Sequence, residues 1–554
     1  MFSNIGIFLL PAVFLKIVSP YSIPSCDSHI YCQGELLDTV QRAKIFPDSK
    51  TFVDQRMLYD ESVIFENFQQ LMNTSDNRPS RDQIRTFVQS NFAEGNELQN
   101  WTLPDYDPNP PFLQKVNNST LRYLATEIVK IWPTLARKIK ADIIQDSSRY
   151  SIIPVPNPFV VPGGRFKESY YWDSFWIVEG LLISGMTQTA QGMIENFLYI
   201  VDKYGFIPNG LRVYYLNRSH PPLLTSMVTL LMNYTNDLEW LRRNIHLLDK
   251  ELEFFLSNRT FQVSYKWKTH TMFHYDSESG SPRPESYIED VETCATLKEA
   301  THIEECYKEM KSTAESGWDF TYRWVFDDNG GNNANRTYTQ CRRIIPVDLN
   351  SMLAKAMREL KNLHLLLGDT DKYFYWQQKY DDLEEAINDV LYHKGIWFDY
   401  DVKFRIHRKY FYPSNLAPLW AEINGPVSTE ELGKNAYSYL ISSGITSYLG
   451  GIPNSLNNTG EQWDFPMAWA PSQSIVIQGL RRSGQKDAQQ LAKTLAGRWL
   501  MSNLMAYKRT GEMYEKYDAV HPGQAGGGGE YSVQTGFGWT NGVALEFIVD
   551  FFSL

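Results

Sequence analysis

Several acids of this chain stand beside indoles or glycines, a setting that changes what a carboxyl group can do. Asp173 follows Trp172, Asp319 follows Trp318 and Asp464 follows Trp463. Glu285 closes Arg283-Pro284-Glu285, Glu515 heads Glu515-Lys516-Tyr517-Asp518, and Glu530 ends a run of four glycines, Gly526 to Gly529. A carboxyl held in a dry, aromatic setting has its pKa raised and can stay protonated as a general acid. A second carboxylate left ionised can then take a proton from water, and such a pair is what cleavage of a glycosidic bond requires. Taken singly, a Trp-Asp pair is better read as a helix cap beside a core indole. Arg165, Arg218 and Arg283 stand among these acids. Their planar, permanently charged forks suit carboxylates and sugar hydroxyls, and suit unrelated surface salt bridges as well.

Consecutive glycines disfavour helix and strand, and make sense where the backbone turns sharply or passes close to a ligand. A phosphate loop would follow its glycines with Lys-Ser or Lys-Thr. This one continues with Glu530-Tyr531, and Gly536-Phe537-Gly538-Trp539-Thr540-Asn541-Gly542 comes soon after. Carboxylates, aromatics and bare backbone together suit a neutral polyhydroxylated ligand. A flexible surface loop is the plainer alternative.

Composition narrows the classes. With 21% charged and 43% hydrophobic residues, the chain is an ordinary globular protein. A net charge of -11 argues against nucleic acid or an anionic membrane as partner. The apolar start, residues 1–19, reads as a secretory signal, with Pro11 and Lys16 arguing against a membrane anchor. Asn-x-Ser/Thr acceptors at Asn73, Asn100, Asn117, Asn118, Asn217, Asn233, Asn258, Asn335 and Asn457 agree with the secretory route. In that oxidising setting Cys26 and Cys32 suit a short disulfide loop, and Cys294, Cys306 and Cys341 leave at least one thiol over. His270 and His274 lack the Glu of a zinc helix, so no metal is expected.

The elements that must position these residues are helical. Leu121, Leu124, Ile128, Ile131, Leu135 and Ile139 recur at helical spacing with a kink expected at Pro133. A second helix is predicted from Asp348 as N-cap to Gly368, and a third through Ala488, Leu491, Leu495 and Trp499. Further helical spans are predicted near 173–203, 222–256, 372–391, 429–442, 472–483 and 540–552. Strand alternation is scarce and no Gly/Ser linker divides residues 20–554. The expectation is a single all-α domain, a helical barrel whose long loops carry the site at one mouth.

Two of those loops carry a resemblance. Pro162-Gly163-Gly164-Arg165-Phe166-Lys167-Glu168-Ser169-Tyr170-Tyr171-Trp172-Asp173 resembles the first signature of the trehalases, a family of inverting glycoside hydrolases. Gln462-Trp463-Asp464-Phe465-Pro466-Met467-Ala468-Trp469-Ala470-Pro471 resembles the second. The likeness continues through Pro208-Asn209-Gly210, Arg218-Ser219, Pro282 to Ser286, Ser316 to Phe320, Pro346 to Asn350 and Glu515 to Gly542.

The resemblance implies an (α/α)6 toroid that hydrolyses α,α-trehalose to two glucose molecules with no cofactor. It implies Asp319 as general acid and Glu515 as general base. It places substrate contacts at Arg165, Trp172, Asp173, Asn209, Arg218, Ser219, His220, Arg283, Pro284, Glu285, Gly317 and Glu530. Phe175, His220 and Met467 depart from residues common in the family. A glucosidase of the same helical type acting on a larger glycan, or a sugar-binding protein without turnover, are the competing expectations. The Asn217 acceptor abuts the Arg218 loop and is expected to stay unglycosylated.

Overall fold

The computed structural model describes residues 25–327 and 335–553; the leader reading at 1–19 lies outside them. Among the described residues, twelve helices alternate between two concentric layers. They are α1 (Ser119–Leu135), α2 (Asp173–Ile183), α3 (Thr187–Tyr204), α4 (Leu224–Thr235), α5 (Leu238–Asn258) and α6 (Val347–Leu366). The second half comprises α7 (Thr370–Ala386), α8 (Ala417–Trp420), α9 (Thr429–Ser442), α10 (Ala470–Arg482), α11 (Lys486–Thr510) and α12 (Gly538–Phe552).

The even-numbered helices close a ring, each packing on the next, with α12 returning to α2. The odd-numbered helices lie outside them, so the chain is an (α/α)6 toroid. Burial explains the layering. Every residue of α10 from Ala470 to Leu480 is buried, as is every residue of α12 from Gly538 to Ile548. A helix covered all round must sit inside. The outer α1 buries one stripe instead, Leu121, Leu124, Ala125, Ile128, Val129, Trp132 and Leu135. Where α2 and α12 cross, a Cβ on Gly542 would stand 1.9 Å from the Trp176 carbonyl oxygen, so only glycine allows the approach.

Connections at the two ends of the barrel differ in length. Inner helices pass to outer ones through short turns such as 184–186, 236–237 and 367–369, where Gly185 (φ 79), Asn236 (φ 49) and Gly368 (φ 80) take the left-handed conformation that ends a helix. Outer helices return to inner ones through long loops, 136–172, 205–223, 259–346, 387–416, 443–469 and 511–537. The long loops therefore gather at the N-terminal ends of the inner helices.

Several expected boundaries move. The spans near 173–203 and 222–256 each break into two helices at those tight turns. Helix α1 ends at Leu135, and Ala136–Ile139 pairs as a strand with Leu98–Asn100 and Phe159–Val160. Pro346, not Asp348, caps α6, and Asp348 accepts two hydrogen bonds from Arg323.

Outside the barrel, the N-terminal helices Glu35–Arg42, Lys50–Val53, Glu61–Thr74 and Arg81–Asn91 form a second core with Tyr170, Tyr214 and Tyr215. Disulfides join Cys26 to Cys32 and Cys294 to Cys306, leaving Cys341 free and buried. His270 turns to Asp389 and His274 to the Arg342 carbonyl.

Candidate active site

The long loops enclose a cavity with about 870 Å³ of empty space, counting its open mouth. Its apolar wall is made of stacked indoles. Trp463 lies 4.0 Å from Trp469 and 5.3 Å from Trp318, and Trp172 leans on Trp463 at 5.8 Å. Trp172, in the lining, precedes Asp173, whereas Trp318, stacked on Trp463 outside the lining, precedes Asp319. Asp464 differs. Its carboxylate accepts from Thr321, Tyr322, Ser455 and Thr459 and lies outside the cavity lining.

Twelve of the predicted positions line this cavity: Arg165, Trp172, Asp173, Asn209, Arg218, His220, Arg283, Glu285, Gly317, Asp319, Glu515 and Glu530. Ser219 and Pro284 do not. The Ser219 hydroxyl donates to the Ile207 carbonyl (2.7 Å), and the Pro284 carbonyl accepts from Gln41. Sequence reasoning missed Asp48 and Lys50 of the N-terminal segment, and Tyr531, Trp469 and Trp539. Tyr531 and Trp539 stood in the glycine-rich stretch already singled out, but nothing local marks Asp48 or Lys50.

Asp319 reaches the cavity from the loop between α5 and α6. Gly317 (φ 75) makes the turn before it and packs on the Trp172 ring, where a Cβ would come within 2.8 Å. Burial pushes the Asp319 carboxyl up to about 7, Arg283 at 3.9 Å opposes the shift, and Glu530 adds to it. Its residual exposure of 34% is to the cavity.

Glu515 comes from the loop between α11 and α12. Lys516–Asp518, which follows it, pairs antiparallel with Met467–Trp469, so one short ladder fixes Glu515 beside the indole wall. Burial raises its carboxyl. Lys516, the Tyr531 hydroxyl (2.8 Å), the Gln534 N–H (3.3 Å) and Arg165 all favour its ionised form. Asp173, at the start of α2, is 6% exposed and is pushed well above the usual carboxylate range, first by burial and further by Glu515 and Asp319.

The arginines converge. Arg218 donates to Glu285 (2.6 Å) and Asn209 (3.0 Å). Arg283 is clamped by Asp290 (2.7 Å) and lies 3.5 Å from Glu530. His220 faces the Asn209 amide, and burial together with Arg218 holds it neutral. The glycine run brings Glu530 to its place, yet none of its four glycines lines the cavity. They pass along the segment 460–462 instead, where a Cβ on Gly528 would meet the Gly460 carbonyl at 2.6 Å and one on Gly529 the Gln462 side chain at 2.5 Å.

The trehalase family model matches residues 44–551. Trehalase of Tenebrio molitor is 49% identical over 99% of both chains. Trehalase of Homo sapiens is 44% identical over 95% of this chain and 90% of that one. The neutral trehalase of Saccharomyces cerevisiae superposes with a TM-score of 0.55 at 24% identity, covering 70% of this chain and 73% of that one, a likeness of fold. By sequence along nearly its whole length, this chain belongs to the trehalase family.

Proposed function

We propose that the chain hydrolyses α,α-trehalose to two glucose molecules, with Asp319 as general acid and Glu515 as general base in an inverting reaction. The observation that carries this reading is a difference between two carboxyls lining one cavity. Burial holds the Asp319 carboxyl up to about 7, so it retains a proton near neutrality. Burial raises Glu515 as well, but Lys516, the Tyr531 hydroxyl, the Gln534 N–H and Arg165 all oppose that rise and favour its charge. Environments that separate two carboxyls in this way assign acid and base.

Asp319 gives its proton to the bridging oxygen while Glu515 takes one from water on the far side of the anomeric carbon. Arg218 and Arg283, each already holding an acid, present their remaining N–H groups toward sugar hydroxyls. The indole wall supplies the flat apolar face of a pyranose with its partner. No step calls for a cofactor. Residues from about 20 onward act as one catalytic unit, a reading supported by the closed ring of inner helices.

The protein is read as secreted. Two disulfides support this, as do exposed acceptors at Asn73, Asn100, Asn117, Asn118, Asn233, Asn258 and Asn335. Asn217 is half-buried and Ser219 of its acceptor triplet fully so, so this site stays bare.

The test is glucose release from trehalose beside maltose and sucrose, with the fresh products followed by NMR before mutarotation. One α- and one β-glucose per trehalose is expected. Only α-glucose, or preference for maltose, would overturn the reading.

A further inference from the structure

The N-terminal segment reaches the catalytic cavity at Asp48 and Lys50. It is firmly seated there. Lys50, 4% exposed, donates to Glu168 (2.7 Å), Asp54 (2.8 Å) and the Tyr214 hydroxyl (3.0 Å). Asp48 accepts from the Thr51 N–H and hydroxyl, both at 2.9 Å, which orients its carboxylate. Its other oxygen lies 3.6 Å from the Arg165 guanidinium, and no other acid among the described residues comes within ion-pair distance of that arginine. Arg165 lies 5.0 Å over the Tyr531 ring, and the Tyr531 hydroxyl donates to Glu515. A chain of contacts thus runs from Asp48 through Arg165 and Tyr531 to Glu515.

We propose that Asp48 is a positioning residue of the active site: it holds Arg165 against Tyr531, and through Arg165 it keeps the Glu515 end of the cavity arranged for catalysis. The N-terminal segment thereby completes a site otherwise built from the barrel's loops and the N-terminal ends of its inner helices. An arginine on a long stem has many rotamers, and a guanidinium without its counter-ion is drawn toward the other cavity acids. The proposal rests on the assignment of Arg165 and Glu515 above.

Glu515 is faced by Lys516 beside it, by Tyr531 and the Gln534 N–H of its own loop, by Arg165 from the α1–α2 loop, and by Asp173 and Asp319 across the cavity. Of these, Arg165 is the cation that Asp48 controls. If it leaves, the Glu515 carboxylate loses a favourable charge, its pKa rises, and the acid limb of activity moves to higher pH.

The experiment is a double-mutant cycle on the full chain, measuring kcat/KM on trehalose across pH for the parent, Asp48→Asn, Arg165→Ala and the pair together. Asp48→Asn should lower kcat/KM about tenfold and raise the acid limb, whereas in the Arg165→Ala background it should change kcat/KM less than about twofold, since coupled sites are non-additive. Asp48→Glu should restore most of the loss. If Asp48→Asn does not fold by circular dichroism, Asp48→Ser keeps an oxygen for the Thr51 N–H while removing the charge. Additive effects in the cycle, or an unmoved acid limb, would overturn the role of Asp48 alone. Near-normal kinetics for Arg165→Ala would overturn the assignment of Arg165 with it.

Discussion

Glu530→Gln tests the electrostatics of the proposed acid without touching the acid itself. Asp319 and Glu530 both flank the Arg283 guanidinium, at 3.9 and 3.5 Å. Flanking one planar fork, the two carboxyls stand no more than roughly 10 Å apart. At ~10 Å, like charges repel by about 1.7 kcal/mol at an effective dielectric of 20 and about 0.4 kcal/mol at that of water. One pKa unit corresponds to about 1.36 kcal/mol, so at that greatest separation Glu530 raises the Asp319 carboxyl by at least ~0.3 at the dielectric of water and ~1.2 at a dielectric of 20. As the proposed general acid, Asp319 must be protonated to act, so activity should fall as pH rises through its pKa, near 7 in the parent. Removing a negative neighbour lowers that pKa. The alkaline limb of kcat/KM, which reports the free enzyme, should therefore move acidward by at least ~0.3 pH units. The plateau will also fall if Glu530 binds the sugar, but a change in plateau leaves the position of the limb readable. A limb that stays put or moves to higher pH would refute the placement of Asp319 as the acid under Glu530's influence.

Other outcomes follow from the same geometry. Asp319→Asn and Glu515→Gln should each lower kcat by at least about 10²–10⁴-fold while the protein stays folded; more than about a tenth of parent turnover in either would remove its role. Arg323→Met should destabilise by about 3–5 kcal/mol, read as a lower denaturation midpoint, because it strands Asp348 and Asp399 without the buried guanidinium that binds both. Gly542→Ala should cost about 1–3 kcal/mol by forcing α2 and α12 apart; an unchanged midpoint would mean the crossing is looser than described.

How much of this could be read from the chain depends on the range of the forces involved. Helices with a strong apolar stripe, such as α1 and α11, were legible because periodicity is local. The breaks inside 173–203 and 222–256 were signalled by Gly185 and by Asn236-Asp237, but buried inner helices are apolar on all sides, and their hydrophobic runs read straight through the turns. Asp348 looked like a cap because short acids favour that position. Its actual partner, Arg323, lies 25 residues back in the loop that leads into α6, and no local pattern reports such a pairing. Asp173 and Asp319 were legible because an adjacent indole marked each, although the same mark fell on Asp464, which lies outside the cavity lining. Asp48 was not, because its role depends on docking against a loop more than a hundred residues away.

The glycine run shows how a backbone feature can serve the site without touching the ligand space. Four glycines before Glu530 marked the site, and the expected causes were a sharp turn, which Gly528 (φ 70) and Gly529 (φ 86) make, or close approach of bare backbone to a ligand. The close approach is instead to the chain itself. Gly526 packs on Lys516 and Met467, while Gly528 and Gly529 lie against Gly460 and Gln462. Gln462 in turn accepts from Lys516 (3.0 Å) and donates to the Asp319 carbonyl. Glycine is thus required where the Glu530 loop lies flat on the segment that ties the Asp319 loop to the Glu515 strand. Larger side chains at Gly528 or Gly529 would lift that loop, and with it Glu530, away from Arg283 and from Arg336, which it meets at 3.5 and 3.1 Å. The glycines act on the chemistry through the carboxylate they deliver.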